Sequence, residues 1–453
     1  YGRRRVGKTY LVNQYFNGRF DFKFTGGYKL SKETQLKNFA LELSLQSQEK
    51  CETPKDWSGA FLRLRKYLSA CPDEEKRVVF FDEMPWMDTP RSDFLSSFEW
   101  FWNSWGSAQR NLIFVVCGSA TSWMAKNISE NQGGLFNRQT CRLYLNPFTL
   151  SETEQYLHHR GIEWSRYDLA ECYMVMGGIP YYLSLLDPEL SYMDNIDNLF
   201  FRKRAELWDE FTHLYQTLFK NSGQYIQVTE ALSKKKSGLT REEVSEMTGL
   251  GENGAMSKIL KDLTDSGFVR ANAYYQHKKK ETRYQLSDYY SMFYYHFIKD
   301  NYGRDEHFWR NTLDNPQRRV WAGLIFEQVC RDHIIQIKQK LGIQGVLSEE
   351  FSWHRRRGKS EEDLPGAQID LIIDRRDRVI NICEIKFSIS EYEIDREYEQ
   401  KLRNKIDTFR NDTGTKKTLN LTMITTFGVK NNKYSSIVRN QVCLNDLFEG
   451  VSV

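Results

Sequence analysis

The sequence predicts an α/β protein built on a parallel sheet, with helical and further α/β parts downstream. Three observations predict it. A glycine-rich basic segment, GRRRVGKT (residues 2–9), runs directly into the helix-compatible stretch YLVNQYF. Two uninterrupted apolar runs, in RVVFFDE and NLIFVVCGS, read as strands buried on both faces, as parallel sheets require. Near the end, GAQIDLIID and VINICEIKF set charged residues inside otherwise apolar strands.

At 453 residues the chain has room for about three domains. A net charge of +4 with 27% charged residues gives no global basic excess that would point to nucleic acid. Basic residues instead cluster at 3–5, 234–236, 278–280 and 355–357, each a solvated loop or a local binding surface. The 8 cysteines include no C-x-x-C pair and no cluster at zinc spacing, which predicts reduced thiols in a cytoplasmic protein. No apolar run reaches the roughly 18 residues that span a bilayer, so no membrane partner is expected.

Gly2, Gly7, Lys8 and Thr9 fit the pattern G-x-x-x-x-G-K-[ST] of a phosphate-cradling loop. Glycines let backbone N–H groups converge on phosphate, Lys8 reaches the β and γ phosphates, and the Thr9 hydroxyl ligates Mg²⁺. The following helix turns its N-terminus to the anion. In such a sheet the strand entering the loop is central, so an apolar strand ahead of Tyr1 is expected, and nucleotide affinity is expected to be low without it.

The strand in RVVFFDE ends at Asp82, where open α/β sheets place ligands. Asp82 is the expected Mg²⁺ partner of Thr9, and Glu83 the candidate base for the attacking water. NLIFVVCGS ends in Ser119, a candidate sensor of the γ phosphate or of water. RFDFKF (19–24) and RLYLNPF (142–148) read as further strands, the latter closing the sheet, and FLSSFEWFWNSW as a core helix. Arg138 is either an arginine finger or a surface residue. Residues 150–220 then read as a helical lid, opened by a Ser151–Glu154 capping box and broken at Gly178, Ile179 and Pro180.

In this order and spacing, GRRRVGKT, VVFFDE, CGS, LNPFTLSE and GGIPYYL resemble the ATPase domain of the largely archaeal-type P-loop ATPases related to AAA+ and STAND proteins. The resemblance covers roughly the first 220 residues. It implies ATP and Mg²⁺ as cofactors, ATP hydrolysis and nucleotide-dependent switching. It also implies roles for Lys8, Thr9, Asp82 and Glu83, and places Gly178 and Pro180 near the adenine. Arg138 and Ser119 match that pattern less closely.

Within 221–290, Thr240 and Glu243 form a capping box for a helix that Gly249 ends. A second helix carries Met256, Ile259, Leu260 and Leu263 on one face, leaving Ser257, Lys258 and Lys261 outward. With a following hairpin tipped by residues 278–280, this describes a winged helix, which binds double-stranded DNA or packs against protein.

Residues 291–453 hold a second constellation. Glu384 and Lys386, two apart, share one strand face, and charges in mid-strand call for a partner or a metal. Asp370 on the neighbouring strand is a candidate co-ligand, Glu327 on the helix FEQVCRDHII a further one, and Lys386 a candidate to position or deprotonate water. This helix–strand–strand–helix–strand order resembles the PD-(D/E)xK, or restriction-endonuclease-like, nuclease fold, with Gln368-Ile369 where that motif has a proline before Asp370. More closely, residues 285–450 are similar to the uncharacterised domain that follows the ATPase in the archaeal-type family. The alternative is a Glu–Lys ion pair on a degenerate scaffold.

The expected organisation is therefore an ATPase core (1–149), lid (150–220), winged helix (221–290) and nuclease-like domain (291–453). Three activities stay open: an ATP-controlled nuclease, a STAND-like switch assembling as a homo-oligomer, and an ATP-regulated DNA-binding regulator.

Overall fold

The computed structural model of the chain describes all residues except 71–75, 131, 132, 136, 273, 274, 276–281, 302, 303, 356–365 and 451–453. The chain divides into two compact units. The first comprises Tyr1–Asn146 with Leu214–Lys220, the second Pro147–His213 with Asn221–Val453.

In the first unit the phosphate-loop segment feeds α1 (Lys8–Tyr15). Then follow β1 (Phe22–Thr25), α2 (Lys32–Ser47), α3 (Trp57–Ala70), β2 (Arg77–Asp82), α4 (Phe94–Ser104) and β3 (Leu112–Val116). The strands form a parallel sheet in the order β1-β2-β3, with Phe22 opposite Val79 and Val79 opposite Phe114. All six residues of β2 are buried, which is why its sequence is an apolar run without alternation. Phe94, Phe98 and Phe101 recur at helical spacing and turn one face of α4 onto Phe61 and Phe114, the latter packed on Phe81. Each buried ring contributes about 1.5–3 kcal/mol of apolar burial.

The expected strand at 142–148 does not form. Leu145 N–H donates to the Tyr1 carbonyl at 2.8 Å, but no neighbouring strand lies alongside it among the described residues. Without a ladder partner an apolar segment has nothing to satisfy the rest of its backbone as a strand. Leu143, 65% exposed, shows the consequence.

The second unit opens with α5 (Leu150–His159) and α6 (Arg166–Met176). The capping box of α5 sits two residues earlier than the sequence suggested. Thr149 Oγ1 accepts from Glu152 N–H and the Glu152 carboxylate accepts from Thr149 N–H. The segment TLSETE contains two overlapping S/T-x-x-E patterns, and Glu154 is instead drawn into a bidentate pair with Arg166 at 2.7 and 3.0 Å.

Next come α7 (Ser222–Ser233), α8 (Arg241–Thr248), α9 (Gly254–Asp265) and an antiparallel hairpin of β4 (Val269–Asn272) and β5 (Arg283–Leu286). The expected cap of α8 is present: Thr240 and Glu243 form a capping box and Gly249 closes the helix at φ 68°. α9 buries Met256, Ile259, Leu260 and Leu263. An isolated antiparallel bridge adds Leu239 to the hairpin beside Tyr284. The basic tip at residues 278–280 lies outside the described residues.

The chain continues through α10 (Pro316–Asp332), β6 (Ser348–Arg355), β7 (Ala367–Arg375), β8 (Val379–Lys386), α11 (Arg396–Thr413), β9 (Thr418–Thr425) and β10 (Asn440–Cys443). The five strands make one mixed sheet in the order β10-β9-β8-β7-β6. β6, β7 and β8 are successively antiparallel, whereas β8, β9 and β10 run parallel. Residues 380–385 of β8 are all buried, and Ile369, Ile372, Ile380, Ile382, Leu402 and Phe409 form the core.

Candidate functional site

Gly7 caps α1 at φ 87°, a backbone region that favours glycine. Gly2 tolerates no side chain for another reason, since a Cβ there would stand 2.3 Å from the Leu145 carbonyl oxygen. These glycines set the loop around Lys8, whose Nζ donates to the Arg3 carbonyl at 2.7 Å. Burial pushes the Lys8 ammonium below its ordinary value, against the opposing pull of Cys117, Glu83 and Asp82.

Thr9 Oγ1 donates to Asp82 Oδ2 at 2.8 Å, joining the first turn of α1 to the end of β2. Glu83 follows in a left-handed backbone at φ 48°, costly for a residue with a side chain. Its carboxylate is held from the segment after β3: Ser119 Oγ donates to Glu83 Oε2 at 2.8 Å and Ser119 N–H to the same oxygen at 3.1 Å. Thus Lys8, Thr9, Asp82, Glu83 and Ser119 are brought together, joined by direct bonds and by the charges acting on Lys8. Ser119 enters the group through Glu83. Arg138 stands exposed, and none of these bonds involves it. Gly178 and Pro180 belong to the second unit. There a Cβ on Gly178 would stand 1.8 Å from the Phe148 carbonyl oxygen, and Pro180 occupies the first turn of a short helix.

The donor set fits Mg²⁺ and a nucleotide. A hydroxyl and a carboxylate oxygen already in contact are hard oxygen ligands. Arg4 Nη1, on the loop, is buried without a hydrogen-bond partner among the described residues, as expected of a group awaiting an anion.

The second unit gathers another set of charges. Glu327 on α10 and Asp370 on β7 line one cavity of about 20 Å³, with Arg331, Ser352, Gln368 and Lys236. Lys236 Nζ bonds Glu327 Oε1 at 2.9 Å. Burial, followed by the charge of Asp370, pushes the Glu327 carboxyl up to about 7, with Lys236 pulling the other way. Arg331 donates to the Asp370 carbonyl, and Gln368 Nε2 to Asp370 Oδ1 at 2.6 Å.

The β7–β8 register pairs Leu371 with Cys383, so Asp370 and Glu384 each lie one residue beyond that pair. Glu384 is buried and accepts three donors: Tyr398 Oη at 2.6 Å, Lys386 Nζ at 2.9 Å and Lys405 Nζ at 2.5 Å. Burial alone would raise its pKa, but Lys405 and Lys386 hold it down at about 2. The fields of Glu384 and Asp370 both raise Lys386 against the effect of its burial. Glu327 and Asp370 therefore share a pocket, and Lys386 senses both Asp370 and Glu384. No three His, Cys, Asp or Glu side chains gather as a metal-binding group among the described residues.

Sequence reasoning missed Lys236, Tyr398 and Lys405. Tyr398 and Lys405 are seven apart on α11, two helical turns on one face, and that spacing was available as a signal. Lys236 carried none beyond its basic run.

A parallel sheet, a glycine-capped helix after a basic loop, and a hydroxyl–carboxylate pair joining helix to central strand are the features of a phosphate-loop fold. In agreement, residues 1–186 match the family described as an ATPase domain predominantly from Archaea. Solved structures similar to the chain include the Walker-type ATPase PABY2304 of Pyrococcus abyssi, at 15% identity and a TM-score of 0.44, covering 64% of this chain and 88% of that one. Cdc6p from Pyrobaculum aerophilum follows at 12% identity and TM-score 0.31, covering 73% and 86%. The Thermotoga maritima RuvB Holliday junction branch migration motor gives 12% and 0.27, covering 62% and 91%. None of these likenesses bears on what the chain does. No curated protein matches the sequence. No helix among the described residues is long and apolar enough to cross a membrane.

Proposed function

We propose that the chain hydrolyses ATP at the first unit and uses nucleotide state to control a DNA-binding winged helix and a metal-dependent, nuclease-like domain in the second. The observation that carries the ATPase part is the Thr9–Asp82 contact beside a Glu83 carboxylate tethered by Ser119. In this reading Lys8 leaves the Arg3 carbonyl to neutralise phosphate oxygens, while Thr9 and Asp82 hold Mg²⁺. Mg²⁺ there supplies charge neutralisation during phosphoryl transfer. Glu83 accepts a hydrogen bond from water and, as the water attacks, its proton; the Ser119 donors fix the oxygen opposite. Arg138 is kept as a finger candidate, and Gly178 with Pro180 as adenine neighbours. Phosphate release in Mg²⁺-ATP should fall to background in Lys8→Ala; undiminished turnover would remove the proposal.

The nuclease-like reading is supported by the helix, three antiparallel strands, helix and parallel strand from α10 to β9, with Glu327, Asp370 and Glu384-x-Lys386 in it. The winged-helix reading is supported by α7–α9, the β4–β5 hairpin and the Leu239 bridge. On α9, Ser257, Lys258 and Lys261 are exposed, although Lys261 pairs with Asp265 at 2.8 Å. If they contact phosphate, duplex binding will weaken with salt, and less steeply in Lys258→Ala.

One observation favours a second reading, a switch that uses an inactive nuclease scaffold for assembly: both Glu384 oxygens are already taken by protein donors. Incubating duplex DNA with Mg²⁺ or Mn²⁺ separates the two. Cleavage lost in Lys386→Ala, with ATP hydrolysis intact, supports the nuclease. ATP hydrolysis without cleavage, with nucleotide-dependent assembly, supports the switch.

A further inference from the structure

Lys236 lies between α7 and the Leu239 bridge, in the segment that leads into the winged-helix region, yet its ammonium sits against Glu327 on α10. Its position is built. Gln285 of β5 donates to the Lys236 carbonyl at 3.0 Å and accepts from Asn272 of β4 at 2.8 Å, so the hairpin fixes the backbone that carries the lysine. Arg270 of β4 reaches Gln328 Oε1 at 3.2 Å and also bonds Asp332, strapping the hairpin to α10 on both sides of Arg331. The cavity that Lys236 helps to line holds about one water-sized occupant beside the carboxylates of Glu327 and Asp370.

We propose that Lys236 is an internal cation plug: its ammonium neutralises Glu327 where a divalent ion would bridge Glu327 and Asp370, and the hairpin holds it there until the winged-helix region moves. The inference rests on the metal-dependent reading of this pocket and adds its regulation. Charge and geometry support it. One ammonium stands where hard-cation chemistry would otherwise have to balance two carboxylates in a confined space. Lys236 is 43% exposed against 17% for Glu327, so the pair is open to solvent on the lysine side and held weakly enough to dissociate. Arg331 is the weaker counter-charge: its Nη2 donates to the Asp370 carbonyl and to Ser352 Oγ at 2.5 Å, and its pull on the Glu327 carboxyl ranks behind that of Lys236.

The test is Mn²⁺ binding to the full chain, followed by calorimetry and by electron paramagnetic resonance of free Mn²⁺, in wild type, Lys236→Met, Lys236→Arg and Lys236→Met with Asp370→Asn. ATP is omitted, so that the phosphate loop adds no nucleotide-bound metal. Lys236→Met keeps the length and apolar stem and removes the charge. It should bind Mn²⁺ about two- to fivefold more tightly than wild type, the equivalent of one weak ion pair. Lys236→Arg should not, and Asp370→Asn should cancel the gain. Equal affinity in wild type and Lys236→Met, with Asp370→Asn abolishing binding, overturns the plug and leaves the metal site standing. Weaker binding in Lys236→Met also overturns the plug and makes Lys236 a positioning residue. Binding that is absent throughout, or unaffected by Asp370→Asn, removes the metal site itself. A thermal melt of each variant, with wild-type transitions, ensures that the affinities belong to folded protein.

Discussion

Replacing Ser119 by alanine isolates the tether that aims Glu83. One residue supplies two donors to one oxygen, the hydroxyl at 2.8 Å and the backbone N–H at 3.1 Å, and the substitution removes only the first. A hydrogen bond to a charged acceptor is worth about 1.5–3 kcal/mol. Ser119 is 2% exposed, so water does not readily replace its hydroxyl. The Glu83 backbone is already held at φ 48°, and with one tether gone the carboxylate gains rotamers that point away from the water. If that difference falls on the transition state, the rate drops about 10- to 100-fold, since about 1.4 kcal/mol is a factor of ten. Steady-state phosphate release in Mg²⁺-ATP should show the loss in kcat, with KM within about twofold. Combining Ser119→Ala with Glu83→Gln should cost nothing beyond Glu83→Gln alone, because the hydroxyl acts through the carboxylate. An unchanged kcat, a loss confined to KM, or full additivity in the double variant would refute the tether and return Ser119 to a direct role at the phosphate.

Three further outcomes concern the second unit. Gly178→Ala should lower its stability by about 2–4 kcal/mol in urea unfolding, because a Cβ would collide with the backbone O, C and N of Phe148, whose N–H donates to the Gly178 carbonyl at 2.7 Å; wild-type stability would mean that the turn can open without cost. Glu384→Gln leaves two ammonium groups facing a neutral acceptor. A loss of about 2–4 kcal/mol is expected, below the usual buried-pair figure because Lys386 is 33% exposed, and unfolding midpoints check it. His333 accepts Leu150 N–H at Nε2 and donates from Nδ1 to the Val329 carbonyl, so the ring is neutral, and burial holds its pKa below 6.5. The unfolded chain therefore takes up a proton that the folded chain refuses. Stability should fall as pH drops below about 6.5, by up to about 1.4 kcal/mol per pH unit from this group. Chemical denaturation at stepped pH should show a shallower decline in His333→Gln; identical slopes would exonerate the histidine.

What was legible in the sequence follows from how each element is held. β2 and β3 announce themselves because central strands of a parallel sheet need apolar residues throughout, and α9 because its buried face repeats at helical spacing. Thr9 and Asp82 meet because a loop motif and a strand end have fixed places in such a sheet. β6 was not anticipated. It is an edge strand paired on one side, its burial pattern is irregular around a register shift between Phe351 and Trp353, and SEEFSWHR therefore shows no clean alternation. At 142–148 the reverse holds: the apolar content suggests a strand, but no neighbouring strand among the described residues bonds its backbone. The carboxylates of the second unit were found from their spacing, but not their partners. Which lysine reaches Glu384 or Glu327 depends on packing between segments 21 and 91 residues apart, and local pattern carries no such information.

The bond from Lys8 to the Arg3 carbonyl has a bearing on ligand choice. A phosphate loop whose lysine had no protein acceptor would exchange only water for an incoming anion. Here the ammonium is already solvated by its own backbone, so an incoming anion engages in an exchange: it must replace that carbonyl before any attraction is gained. A lone phosphate or sulfate offers one tetrahedron against that loss. A polyphosphate tail, reaching the lysine, the helix terminus and the loop arginines together, offers several contacts for the same displacement. In the proposed nucleotide-binding reading, that exchange is a threshold that favours ligands with adjacent phosphoryl groups over single anions.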